Sequence, residues 1–280
     1  MTNEHERAAD HRERFGDLVF DADDLLLLEP FQILYVEGRV PAAELGELLR
    51  AHAHVGRYLR RACPAAAPFL QRALDAAPTG VSLEECEQRV LWEIADLIVY
   101  NKAPHAYDAL PHHRWDFEAV TSVAALAGTV VLDVGAGTGQ TAVELSRRAR
   151  SVFAIEPVGR LRQFIRERAE RRKRGNLYVV DGMAHAIPLP SQFADVVVCV
   201  RSLRKRGVMH EAGGWRFDDE VAELERVVRP GGTVVVCSGW PHEGAEDRPE
   251  HHTLVSPRWG YRHDAYAGYA GQLSRYHKQF

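Results

Sequence analysis

The amino-acid sequence predicts an α/β protein: a mostly parallel sheet interleaved with helices over residues 116–280, preceded by a helical region over residues 1–115. Three observations carry that expectation. Valine-rich runs of strand length recur at 130–134, 151–155, 177–180, 194–200 and 233–237, each too short for a buried helix. Segments of helical periodicity alternate with several of them, which implies right-handed βαβ units. Residues 1–115 instead carry apolar stripes at helical spacing.

The bulk numbers fit this class and exclude others. A chain of 280 residues with 46% apolar and 26% charged residues has material for a core in one or two domains. Its net charge of −4 and pI near 6.4 supply no global field favouring nucleic acid or an anionic membrane. The longest apolar runs are strand-length, so no transmembrane helix is expected. Met1 to Arg14 is charged throughout and lacks a signal-peptide core. Cys63, Cys86, Cys199 and Cys237 form no Cys-x-x-Cys pair and read as free or buried thiols of a reducing cytoplasm.

In the helical region, Asp23-Asp24 ahead of Leu25–Leu28 marks a cap and a helix start. Pro41 followed by Leu45, Leu48, Leu49, Val55 and Leu59 predicts one helix with proline in its first turn. His52 falls on its apolar face and reads as a satisfied histidine. Cys63-Pro64 to Pro68 breaks the pattern, and Phe69, Leu70, Ala73 and Leu74 suggest a short helix. Ser82-x-x-Glu85 is a capping box opening a long helix with Cys86, Val90, Ile94, Leu97 and Ile98 on one face. From Tyr100 to Trp115, Pro104 and Pro111 bracket a loop holding His105, Tyr107, His112 and His113.

The second region is organised around Val130 to Gly139. A buried strand containing Asp133 runs into Gly135-Ala136-Gly137-Thr138-Gly139, and a helix follows from Gln140 to Arg148. Strand, glycine turn and helix form a nucleotide-cofactor pocket at the carboxyl end of a first strand. The spacing is Gly-x-Gly-x-Gly, and Gln140 stands where a dinucleotide fold has its third glycine. Asp133 would repel a pyrophosphate but attract a sulfonium and an α-ammonium, which points to S-adenosylmethionine. Strand two ends in Glu156, placed to accept hydrogen bonds from both ribose hydroxyls. The helix carrying Leu161, Phe164, Ile165 and Ala169 has a nearly all-arginine opposite face. Strand three ends in Asp181-Gly182-Met183-Ala184, where a carboxylate can accept from an adenine amino group and Met183 with Ile187 can cover the ring. Phe217 to Val228 is an amphipathic helix, Arg229-Pro230-Gly231-Gly232 a sharp turn, and Thr233 to Cys237 strand five. Trp259–Tyr266 and Leu273–Phe280 read as a closing antiparallel pair.

With these parts in order, the chain resembles the class I S-adenosylmethionine-dependent methyltransferases with a ubiquinone/menaquinone-methyltransferase-like core. The matching pieces are Leu132 to Gly139, Glu156, Asp181 to Ala184, Ile187 to Pro190, Phe193 to Val197 and Glu223 to Gly232. The resemblance implies a Rossmann-like sheet of seven strands with the last antiparallel. It implies S-adenosylmethionine as cofactor, S-adenosylhomocysteine as product and a small-molecule acceptor. The cofactor-binding residues it implies are Asp133, Gly135, Ala136, Gly137, Gly139, Glu156, Pro157, Asp181, Gly182, Met183 and Arg201. The segment after strand four, Arg201 to His210, departs from the apolar one of many relatives, and its Arg201, Arg204, Lys205 and Arg206 suit an anionic acceptor group.

In-line transfer from a sulfonium needs alignment and dryness, with a base only for a weakly acidic acceptor. Candidate bases are His210, Tyr107, His112 and His242, of which His210 and Tyr107 are taken as the catalytic pair. The pairs His112-His113 and His251-His252 diverge as neighbours and have no cysteine or Glu-x-x-His partner, so no metal site is expected. RNA modification is the alternative activity. The eight basic residues from Arg160 to Arg174 would suit it, but Glu167 and Glu170 interleave, and strand four precedes no Asn/Asp-Pro-Pro-Tyr segment. A regulatory protein that binds the cofactor without turnover is a third reading. Residues 1–115 are expected to form a helical lid supplying the acceptor region, with a homodimer interface as the other use of their apolar faces.

Overall fold

A computed structural model describes residues 4–110, 117, 120, 124–200, 202–203, 217–238, 259–264 and 272–279. The chain divides into two compact units that part between Ala109 and Leu110.

The N-terminal unit holds α1 (Glu4–Phe15), a 3-10 turn (Ala22–Leu27), α2 (Pro30–Leu34), α3 (Ala42–Ala51), α4 (Ala53–Ala62), α5 (Ala67–Asp75), α6 (Leu83–Glu93), α7 (Ala95–Lys102) and α8 (Pro104–Asp108). Four local expectations are corrected. Asp21 caps the 3-10 turn, one turn earlier than Asp23-Asp24 suggested, with Asp23 N–H donating to its Oδ1 at 3.0 Å. The helix expected from Pro41 breaks at His52, whose ring reaches Glu87 at 2.6 Å. The helix opened by Ser82 breaks at Ile94. Val90 to Ala95 are buried in succession there, which one stripe of a straight helix cannot achieve, so packing overrides periodicity. Pro104 opens a short helix in what read as a loop, because its missing N–H costs nothing at a first helical position.

A half-buried ionic cluster ties this unit together. Arg39 pairs with Asp96 at 2.7 Å, and His11 bonds the Trp92 carbonyl at 2.7 Å while facing Asp96 at 3.8 Å. Burial pushes the Asp96 carboxyl up, but Arg39 and His11 outweigh it and hold the group below its ordinary range.

The second unit is the sheet: β1 (Val130–Val134), β2 (Ser151–Ile155), β3 (Leu177–Val180), β4 (Ala194–Val200), β5 (Val228–Ser238), β6 (Trp259–Asp264) and β7 (Gln272–Lys278). The order is β3-β2-β1-β4-β5-β7-β6. The first five strands pair in parallel, and β7 runs antiparallel to both β5 and β6. Residues 229–232, expected as a turn before strand five, are instead an irregularity inside β5. The β4 register jumps from Ala194 opposite Val228 to Val196 opposite Thr233, with Gly231 at φ +76°.

Helices α9 (Gln140–Leu145) and α10 (Gly159–Arg171) join Val131, Val152, Ala154, Val196 and Val198 in one core cluster. Helix α11 (Phe217–Val227) contributes to a second cluster, with Leu132, Val134, Val197, Val234, Val236 and Tyr276. The alternation of the two sets along β1, β2, β4 and β5 is the signature of a sheet covered on both faces. The β3–β4 connection, residues 181–193, holds no helix; Met183 bridges to Ala186 within it. All four cysteines are buried, and none forms a disulfide.

Candidate cofactor site

Because β1, β2 and β3 are parallel neighbours, their carboxyl ends lie side by side, and each delivers one acid: Asp133, Glu156 and Asp181. Asp133 is 1% exposed, and its Oδ2 has no hydrogen-bond partner among the described residues. Burial, then the charge of Glu156, raises its carboxyl from an ordinary 3.8 to about 7, against the opposing N–H of Ala142.

The glycine turn is strapped to the end of β2. Gly135 and Ala136 N–H groups both donate to the Ile155 carbonyl, at 2.9 and 3.1 Å, and Gly137 N–H donates to Glu156 Oε2 at 2.8 Å. A Cβ added at Gly135, where φ is +71°, would lie 2.2 Å from the Ser202 Cβ. At Gly139 (φ +77°) it would lie 2.9 Å from Ile165. The glycines at these two places are therefore required by neighbouring protein atoms as well as by backbone conformation.

Glu156 is buried, and its other oxygen accepts from Val158 N–H at 2.9 Å. It thus holds the glycine turn to the start of α10, a structural duty that the sequence reading did not anticipate. Pro157 presents its carbonyl to Arg162 Nη1 at 2.5 Å. Asp181 pairs with the same Arg162 nitrogen at 2.9 Å. Gly182 is confined, since a Cβ there would lie 2.6 Å from Pro188 Cδ. Met183 and Ala186 exchange backbone hydrogen bonds at 3.4 and 3.0 Å, forming a small loop at the end of β3.

Two residues absent from the sequence-based site emerge here. Arg162 read as part of a solvated basic face, yet its guanidinium folds back onto the strand ends. Ser202 follows β4 with its Oγ buried, and the neighbouring Cys199 thiol is a weak hydrogen-bonding group. Neither had a motif to mark it; the one hint for Arg162 was its place beside Leu161, just inside a helix that starts at the cofactor edge.

Tyr107 belongs to the N-terminal unit, on α8, edge-on to Tyr100 with ring centroids 4.7 Å apart. Arg201, Arg204, Lys205, Arg206, His210, His112, His113, Trp115, His242, His251 and His252 lie outside the described residues. Among the described residues, no group of three or more His, Cys, Asp or Glu side chains is placed to hold a metal ion, and no helix is long and apolar enough to cross a membrane.

An orphaned carboxylate oxygen beside a second buried acid requires a donor or a cation, and a pyrophosphate would worsen both deficits. The chemistry of the edge therefore fits a cationic cofactor. Comparison with known sequences agrees: residues 132–236 match the methyltransferase domain family. The match is confined to this stretch, which resembles a methyltransferase domain.

The chain is 29% identical over 146 residues to a demethylmenaquinone methyltransferase of Tropheryma whipplei (strain Twist), covering 50% of this chain and 56% of that protein. It is 34% identical over 124 residues to one from Thermobifida fusca (strain YX), covering 44% and 49%. The chain thus spans about half the length of the curated relatives it matches. A chain of the Haloferax volcanii complex between the Trm112 methyltransferase activator and a methyltransferase superposes with a TM-score of 0.51 at 12% identity, over 65% of this chain and 96% of that one. That likeness is one of fold.

Proposed function

We propose that the protein is an S-adenosylmethionine-dependent methyltransferase acting on a small-molecule acceptor of the quinone type by in-line transfer. The observation that carries the reading is the orphaned Oδ2 of fully buried Asp133 at the glycine turn. The names of the curated relatives support the acceptor class. When bound, S-adenosylmethionine supplies a methyl group already activated on a sulfonium. What remains for the chain is to hold the donor, align the acceptor and exclude water.

Asp133 answers the positive methionine end. Glu156, with one backbone N–H on each oxygen, is the acid that meets the ribose hydroxyls. Asp181 serves the adenine amino group. The basic segment from Arg201 to Arg206 recognises an anionic group on the acceptor, and His210 or Tyr107 takes a proton where the acceptor carries one. The lid role expected of residues 1–115 belongs to this proposal; a well-packed helical unit with the Tyr100–Tyr107 pair near its end supports it.

Titration calorimetry tests the cofactor reading. S-adenosylmethionine and S-adenosylhomocysteine should bind and NAD should not, and Asp133→Ala and Gly137→Val should each weaken binding at least tenfold. Unchanged affinity in both variants, with the fold intact, would remove the site assignment.

A further inference from the structure

We propose that Arg162 is the positioning residue that aims Asp181 at the adenine ring, and so sets the base selectivity of the cofactor site. The inference rests on the S-adenosylmethionine reading above. Arg162 is the fourth residue of α10, and helical side chains lean toward the N-terminus, here toward the ends of β2 and β3. Its Nη1 lies 3.0 Å from the Glu156 carbonyl, 2.5 Å from the Pro157 carbonyl and 2.9 Å from Asp181 Oδ1. The Arg162 side chain is 15% exposed, whereas that of Asp181 is 71% exposed. Its neighbour on the same helix, Arg166, is by contrast exposed.

The asymmetry between the two partners is the core of the argument. A carboxylate as exposed as Asp181 rotates freely and is hydrated unless something holds it. Arg162 is held by two carbonyls of the rigid β2 end, so the guanidinium is a fixed post and the carboxylate is its tether. With Oδ1 engaged, Oδ2 is the oxygen left to accept from a ligand. Adenine presents an amino donor at its 6-position, while hypoxanthine presents a carbonyl acceptor, which a fixed carboxylate repels. An untethered carboxylate would swing into solvent and penalise the wrong base far less. The same guanidinium also references the base-reading acid to the segment carrying Glu156, fixing the separation of the two acids.

The test measures binding of S-adenosylhomocysteine and S-inosylhomocysteine to the full chain by calorimetry. Wild-type protein should prefer the adenine form by about thirtyfold or more. Arg162→Ala should bring the two affinities within about threefold, chiefly by weakening the adenine form. Arg162→Gln, which keeps a donor toward the carbonyls but lacks the charge and the fork, should show the same collapse and serves if the alanine variant unfolds. Arg162→Lys should recover part of the preference, and Asp181→Asn should abolish or invert it, since an amide can donate to the 6-oxo group. A wild-type adenine preference in Arg162→Ala or Arg162→Gln would overturn the proposal, even if both ligands bound more weakly, because a merely structural arginine would weaken both alike. Wild-type protein that binds neither ligand would overturn the cofactor reading, and this inference with it.

Discussion

Asp133 shows how one residue's environment sets both a cost and a use. Buried at the end of β1 with one oxygen unpartnered, its carboxyl keeps its proton up to about pH 7, while in the unfolded chain it ionises near 3.8. Its folded value is the raised one. Its contribution to stability is therefore fully present below about pH 3.8 and lost as pH rises through about 7. The gap corresponds to at most about 4 kcal/mol. Asp133→Asn, which cannot ionise, should raise the melting temperature relative to wild type at pH 8 and show a much smaller gain at pH 5. A gain of equal size at both pH values would contradict this account. A cationic ligand lowers the carboxyl's pKa, so its binding to wild type should release protons near neutrality and tighten from pH 6 to pH 8. Calorimetry in buffers of different ionisation enthalpy reads that release directly, and Asp133→Asn should lose it.

At the scale of elements, the β3–β4 connection poses the sharpest question, because it has no helix to stiffen it. Its order comes from α11. Glu223 accepts from Ile187 N–H at 2.8 Å, and Arg226 donates to the Ile187 and Leu189 carbonyls, both at 2.7 Å, while gripping Glu223 through two nitrogens. Arg226, with the Ile187 N–H, holds the Glu223 carboxyl below its ordinary range. On the far side of α11, buried Lys278 of β7 donates to the Glu225 and Val228 carbonyls at 2.6 and 3.0 Å, a cation placed on the helix's C-terminal end. The planar fork is what spans four acceptors, so Arg226→Lys should cost about 1–3 kcal/mol in denaturant unfolding. It should also weaken S-adenosylhomocysteine several-fold by loosening the loop after Asp181. A lysine variant as stable as wild type, with unchanged affinity, would show that the connection is ordered by packing alone.

At the scale of the molecule, the chain is two units, with an ionic cluster around Asp96 in the first and two apolar clusters flanking a sheet in the second. All three acids of the cofactor edge belong to the second unit. A chain beginning at Leu110 retains both sheet clusters and should hold S-adenosylhomocysteine within about tenfold of the full protein, while losing acceptor turnover by orders of magnitude. In the full chain, Tyr107→Ala should reduce transfer more than cofactor affinity. Normal acceptor kinetics in the shortened chain would overturn the proposed role of the N-terminal unit.

The positions of β2, β3 and β4 and the three acids at the strand ends could be read from the sequence alone. Each depends on local periodicity and on turn chemistry, which a few consecutive residues encode. The breaks at His52 and Ile94 could not, because they arise where burial on several sides replaces a single apolar stripe. Nor could the insertion inside β5, since Arg229 to Gly232 carry the same turn signal whether the chain reverses there or bulges and continues. Glu156 was visible as an acid, but its grip on the glycine turn was not, because Gly137 approaches it only once β1 and β2 pair. Arg162 is the clearest case: its helix position was predictable, while the place of its guanidinium, eight ångströms or so of flexible side chain away, was decided by carbonyls and a carboxylate that only the assembled sheet brings together.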